Sequence, residues 1–463
     1  MQPLLKFLAA SLAALLALTA TAAASAPLPA QINVAVEYYR LPNGLRVVLS
    51  RDPSVPTSTV AMYYHIGFRI EPRNRTGFAH LFEHLMFQET TNLAKGEADK
   101  LVAGNGGVAN GSTRFDYTNY FQVVPSHVTE PVLWVEAERM GGLVLSDTSL
   151  QNQKDVVKNE VRVNVVNRPY GAFPWLDLPE HANSNWYNAH NFYGEFADID
   201  AATLEDVRSF YDTYYVPSNA VLVVAGDFDP VAVHAEIERY FGGLPKRPEP
   251  ARPNVTEPKQ VTERMATRTD GLAPRPALAF GYHLPERNTP EWYAFGLIDQ
   301  ILLQGEDSRL WRRLVQERGY ADAVEGGMNL IGNMFDYEGP MLWAASLVHD
   351  AGASDAAIMA DVDDVIGRLQ RERVGPAELE RAITKIRSAL YDVAGSSTRF
   401  GLVDLLACFA LFDDDPAKVN RLESEFRKVT PELLRATARK YLVRGNRTRL
   451  ALLAGKPSAG AKP

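Results

Sequence analysis

Two segments of this chain recur in the same order, and that duplication limits the folds open to it. Residues 219–227 (Asn-Ala-Val-Leu-Val-Val-Ala-Gly-Asp) follow a helical run ending in Tyr214-Tyr215, and residues 448–456 (Thr-Arg-Leu-Ala-Leu-Leu-Ala-Gly-Lys) follow one ending near Tyr441. Likewise Val60-Ala61-Met62-Tyr63-Tyr64-His65 is paralleled by Leu278-Ala279-Phe280-Gly281-Tyr282-His283. A repeated order of short β-rich runs and longer helical runs predicts two similar α+β domains of roughly 200 residues each. Asn43-Gly44 between two apolar runs is a hairpin signal, so each sheet is expected to be mostly antiparallel, with helices packed on one face. Residues 245–270 carry Pro245, Pro248, Pro250, Pro253 and Pro258 among charges, the composition of an extended linker. The expected organisation is a leader at 1–26, a first domain at 27–244, the linker at 245–270, a second domain at 271–456 and a tail at 457–463.

The leader is read from Lys6, the Leu/Ala run that starts at Phe7, and the small residues Ala22-Ala23-Ala24-Ser25-Ala26, a secretory pattern. Its apolar run is short for a membrane span and no later segment approaches the length needed, so no span is expected after signal removal. Charge is 48 basic against 56 acidic residues, net −8, with the basic ones scattered. That balance argues against nucleic acid or an anionic membrane as partner. Cys408 is the only cysteine, so no internal disulfide can form.

The chemistry is concentrated in His80-Leu81-Phe82-Glu83-His84. On a helix, residues four apart share a face with Cβ atoms roughly 5–6 Å apart, so both imidazoles can reach one Zn²⁺ at about 2.0–2.1 Å. Glu83, beside a ligand, can act on a water at that ion. The order is the reverse of His-Glu-x-x-His and marks the inverted zinc peptidases. Two histidines and a glutamate can also merely support a solvated helix. Here Leu81, Phe82, Leu85, Met86 and Phe87 make the helix largely buried, where unpaired polar groups are costly. A catalytic zinc takes three protein ligands and keeps one open position. Glu160, in the helical-looking run 153–162 that precedes Asn167-Arg168-Pro169-Tyr170-Gly171, is the candidate third ligand.

Together these elements resemble the pitrilysin/insulinase (M16) peptidases, the family that includes the mitochondrial processing peptidase subunits; Tyr64-His65-Ile66-Gly67 and Glu71-Pro72 precede the motif as they do there. The resemblance implies one Zn²⁺ per chain on His80, His84 and Glu160, with Glu83 as general base. The implied activity is zinc-dependent endopeptidase action on peptides or small unfolded polypeptides. It implies that residues 106–113 form a substrate-binding edge strand, with Asn110, Gly111, Ser112 and Thr113 along the peptide; an ordinary Gly/Asn turn is the plainer reading. An open edge suits a peptide held extended.

The second domain lacks the inverted motif. Arg313 and Tyr320 match an arginine and a tyrosine that, in full-length relatives, close over the substrate from the half opposite the metal, where they would bind the carbonyl and the oxyanion; a surface arginine and a helix-capping tyrosine are the alternative. The family's clamshell implies that this chain forms one half, in a homodimer or in a heterodimer with a homologous half-length chain. Export of a peptidase of this type implies a bacterial periplasm. One departure is Gln153, where some relatives carry a second glutamate seven residues before the ligand. His65 and His283 are expected to be structural, and His127, His181, His190, His234 and His349 show no ligand spacing. Tyr193-Gly194 resembles a loop near the family's cleft. The competing expectation is a non-catalytic or peptide-binding subunit of a heterodimeric peptidase, which typically carries a broken motif; here the motif is intact.

Overall fold

The computed structural model describes residues 32–455; the expected leader at 1–26 and tail at 457–463 lie outside the described residues. Strands β1 (Glu37–Arg40), β2 (Arg46–Arg51), β3 (Thr57–Tyr64), β4 (Val108–Thr113), β5 (Thr118–Pro125) and β6 (Ala220–Gly226) form one sheet in the order β1-β2-β6-β3-β5-β4. Strands β7 (Arg264–Asp270), β8 (Ala277–His283), β9 (Glu325–Met328), β10 (Leu342–Val348) and β11 (Arg447–Ala454) form the other, in the order β7-β11-β8-β10-β9. With β1 set aside, the two orders correspond strand for strand. Even the single parallel pair recurs, β2 with β6 and β7 with β11, while every other pairing is antiparallel. The repeated segments are these equivalent strands: 219–227 contains β6 and 60–64 lies in β3, matched by β11 and β8. The fold is therefore α+β with two mostly antiparallel sheets.

Four helices position the site and the joint between the two units: α1 (Phe78–Leu85), α2 (Asp147–Val161), α3 (Asp177–Ala182) and α4 (Phe400–Asp413). Alternation along β3 shows how the first sheet is covered. Val60, Met62 and Tyr64 point into a core with Leu81 and Phe82 of α1 and with Phe210 and Tyr215. The intervening residues point the other way, as strand geometry requires, and meet α4 and its lead-in: Tyr63 donates to Asp404 at 3.0 Å and Thr59 donates to the Thr398 carbonyl at 2.5 Å. Phe121 of β5 stacks on Phe400, centroids 3.9 Å apart. Covered on both faces, β6 is buried at every residue, which is why its sequence is a continuous apolar run.

The loan is reciprocal. Leu178 and Ala182 of α3, from the first unit, are fully buried against Ala277, Ala279, Leu450 and Leu452 of the second sheet, and a Cβ on Gly281 would come within 3.0 Å of Leu178. The opposite face of that sheet packs Phe280 and Trp343 against Phe295. The all-round apolarity of α4 is thus that of a buried helix; among the described residues no single helix is long and apolar enough to cross a membrane.

The stretch placed in the linker by composition ends earlier in the structure, because Arg264–Asp270 is strand β7. Its alternately half-buried and exposed residues carry no apolar run that would announce an edge strand. The proline-rich part is pinned rather than loose: Asn185 donates to the carbonyls of Asn254 and Thr256, and the Glu257 carboxylate accepts from Asn188.

The joint also buries two carboxylates. Asp404 accepts from Tyr63 and Tyr117, both through Oδ1, and Asp336 accepts from Asn329 at 2.6 Å and from the Asn333 amide at 2.9 Å. Burial, then repulsion from Asp404, pushes Asp336 up to about 7; burial raises Asp404 as well. An acid whose folded pKa is raised binds its proton more tightly folded than unfolded. Its contribution is full below the unfolded value of about 3.9 and is lost as pH rises through about 7. Thermal stability is therefore expected to fall between about pH 4 and about pH 7. Asp404→Asn, which keeps the Oδ1 acceptor for both tyrosines, should raise stability at the higher pH and flatten the slope in a thermal melt. An unchanged slope would refute the coupling.

Candidate metal centre

Helix α1 starts at Gly77, whose φ of +82° is left-handed and whose side chain can offer no cap. The cap comes instead from Glu71: its fully buried carboxylate accepts from the Gly77 amide at 2.9 Å and the Ala79 amide at 2.7 Å. A negative charge there satisfies orphan N–H groups and complements the helix dipole. The loop after His190 docks on the same turn. A Cβ on Gly194 (φ +82°) would lie 2.4 Å from the Gly77 Cα, so the backbones meet where only glycine fits. Thr76 fastens the contact, accepting from the Glu195 amide at 2.9 Å and donating to Asp198 at 2.6 Å.

Helix α2 begins in a capping box between Ser146 and Ser149 and packs on α1, burying Leu150, Val157 and Val161. Gln153 is buried on it. A π-helical turn, Arg162–Val166, follows directly.

The two helices bring three side chains together. His80 Nε2 lies 3.6 Å from Glu160 Oε1 and His84 Nε2 lies 3.1 Å from Glu160 Oε2. One ligand atom from each of the three falls within 4.8 Å of the others. Two atoms each about 2.0–2.1 Å from a tetrahedral ion sit about 3.4 Å apart, so the donor set and its spacing fit zinc. Exposure rises from 5% for the His80 side chain to 20% for His84 and 31% for Glu160, leaving one side open to solvent. Hydrogen bonds from His80 and then His84 hold the Glu160 carboxyl well below the usual carboxylate range.

Glu83 stands outside this ligand set. Thr113 donates to its Oε2 at 2.7 Å, and a Cβ on Gly111 would lie 3.3 Å from its Cγ. Both partners belong to β4, which carries all four expected peptide-contacting residues, Asn110, Gly111, Ser112 and Thr113. β4 ends its sheet and pairs only with β5, so its other edge is open beside the carboxylate.

Arg313 and Tyr320 are not brought to the metal group of this chain. Ser308 caps a short helix that passes into the π-helical turn Arg312–Glu317. There Arg313 pairs with Asp364 at 2.8 Å and Glu317 at 3.2 Å, and Tyr320 donates to Asp361 at 3.0 Å. Asp361 and Asp364 lie on the helix Asp355–Arg371, and the whole network belongs to the second unit.

The other histidines have protein partners or no metal neighbours. His65 donates to Glu338 at 3.0 Å, His283 donates to the Ala182 carbonyl at 3.0 Å, and burial lowers both pKa values. His190 stacks on Trp186 and lies 3.6 Å from Glu71. Two contributors had no role assigned from sequence. One is Glu71, noted only as part of the resemblance, whose capping role depends on an acid standing upstream of a helix that lacks its own cap. The other is Tyr193, whose ring centre lies 5.0 Å from that of His80.

A duplicated α+β fold with a reversed His-x-x-Glu-His helix and a carboxylate from a second helix is that of the inverted-motif metallopeptidases. The insulinase family (peptidase family M16) matches residues 46–173, and the peptidase M16 inactive domain matches residues 201–386. The zinc protease PqqE of Helicobacter pylori is 30% identical over 354 residues, covering 74% of this chain and 77% of that protein. Among solved structures, a protease from Helicobacter pylori superposes with a TM-score of 0.83 at 26% identity, covering 91% of this chain and all of that one. The periplasmic protease PqqL from Escherichia coli gives 0.73 at 17% identity, with 92% of this chain matching 48% of that one. The chain belongs to peptidase family M16.

Proposed function

We propose that this protein is a zinc-dependent endopeptidase acting on peptides or small unfolded polypeptides. The observation that carries the reading is the convergence of His80, His84 and Glu160 beside a free carboxylate, Glu83, and an open strand edge. A zinc ion held by those three residues supplies Lewis acidity and lowers the pKa of water toward about 7. Glu83 accepts the proton of the attacking water and passes it to the leaving amine. Thr113 keeps that carboxylate aimed along β4, whose open edge pairs with the peptide backbone at Asn110, Gly111, Ser112 and Thr113. No group in the site calls for a covalent intermediate.

The match to about half of PqqL, 48% of its length, supports a paired assembly, either of two such chains or with a homologous chain. In that assembly Arg313 and Tyr320 would act at the partner's site, released from Asp364 and Asp361. The periplasmic relative also supports export. A second reading, a peptide-holding subunit without activity, is favoured by the match of the second unit to the inactive domain.

One experiment separates these readings: the purified chain is incubated with mixed peptides, with and without a chelator. Cleavage abolished by chelator supports the peptidase, and binding without cleavage supports the subunit. His84→Ala should reduce bound zinc from about one per chain to a small fraction of that, measured by elemental analysis, with cleavage lost in parallel. Full zinc occupancy in that variant would remove His84 from the ligand set.

A further inference from the structure

We propose that Tyr193, on the loop docked against the start of α1, is an oxyanion donor supplied by the metal-bearing unit itself; this rests on the peptidase reading above. The ring is fixed on three sides, with centroids 5.0 Å from His80, 5.2 Å from Trp175 and 6.3 Å from Phe68. The backbone is fixed as well: Tyr193 N donates to Asn191 Oδ1 at 3.1 Å, and the next residue is the glycine wedged on Gly77. Tyr193 thus moves with the helix that carries His80, Glu83 and His84.

Its hydroxyl has no hydrogen-bond partner among the described residues, although the side chain is half-buried. It borders an open cavity of about 650 Å³ shared with Trp175, Tyr170, Val165 and Asn164. A phenol whose ring lies 5.0 Å from that of His80 and whose hydroxyl is unpartnered is a donor without an acceptor beside the His80, His84 and Glu160 group. The natural acceptor is a substrate oxygen that gains negative charge when water adds to the peptide carbonyl. The phenol donates a hydrogen bond and keeps its proton. Tyr320, by contrast, already donates to Asp361.

The test is Tyr193→Phe in the zinc-loaded chain. The substitution keeps the ring contacts, so zinc content and Tm should match the parent. A phosphinic peptide, a tetrahedral mimic of the hydrated carbonyl, is titrated by calorimetry, and its affinity should fall roughly 10- to 100-fold. In parallel kcat should fall about 100-fold with little change in KM. If the parent chain binds the phosphinic peptide and cleaves peptides while Tyr193→Phe equals it in both, the Tyr193 assignment is overturned and the peptidase reading stands. If the zinc-loaded parent neither binds nor cleaves, both fall together.

Discussion

Glu83→Gln is expected to leave zinc binding intact and to lower peptide turnover by about 10²- to 10⁴-fold. The group that could hold the ion is His80, His84 and Glu160, and no oxygen of Glu83 is part of it. An amide at this position has the same shape and can still accept from Thr113, so the contact between α1 and β4 is retained. What it loses is the ability to take a proton from water, and among the described residues no other carboxylate is placed to substitute. Glu160 is held by both imidazoles, and Gln153, the place of a second acid in some relatives, is an amide buried on α2. The measurement is initial rate on a mixed-peptide substrate alongside zinc content. Undiminished cleavage by the variant would falsify the assignment of the base.

Asp116→Ala should cost about 3–5 kcal/mol of stability and lower Tm by about 3–6 °C, without touching His80, His84 or Glu160. Asp116 accepts from Arg69 Nε at 2.7 Å and, across the joint, from the amides of Glu338 at 2.8 Å and Gly339 at 3.3 Å. Burial opposes its ionisation, but Arg69 and those two amides outweigh it and leave the carboxyl below the usual range. Arg69 is only 2% exposed and also donates to Asn188 and the Pro340 carbonyl. Removing Asp116 alone strands a buried guanidinium and two amides. Adding Arg69→Met to Asp116→Ala should recover part of the loss, because the unpaired charge disappears with it. Additive losses in that double variant would mean that the pair contributes little across the joint.

The sequence revealed the architecture through its duplicated strands, because residues 60–65 and 219–227 are central strands whose apolar runs survive divergence. It placed His80 and His84 on one helix face because i and i+4 on a helix is a local relation, and it offered Glu160 through a resemblance. It could not reveal what depends on chain segments meeting from far apart. Glu71 caps α1 only because a turn carries it back over six residues, and Tyr193 reaches His80 only because Gly194 and Gly77 meet. Arg313 and Tyr320 match the spacing that the resemblance implies, yet their partners Asp364 and Asp361 come from a helix 51 and 41 residues on, and no local pattern announces that pairing. The apolarity of α4 indicated burial without saying which sheet it would cover.

The crossed loan of α3 and α4 has a mechanical outcome. Because each sheet borrows one of its covering helices from the other unit, the units cannot hinge apart without exposing an apolar sheet face. Expressed separately, either one would present that bare surface and aggregate, and the intact chain should melt in a single cooperative step. On the peptidase reading, any gate that admits a polypeptide to His80, His84 and Glu160 would therefore open between this body and a partner, and not within it.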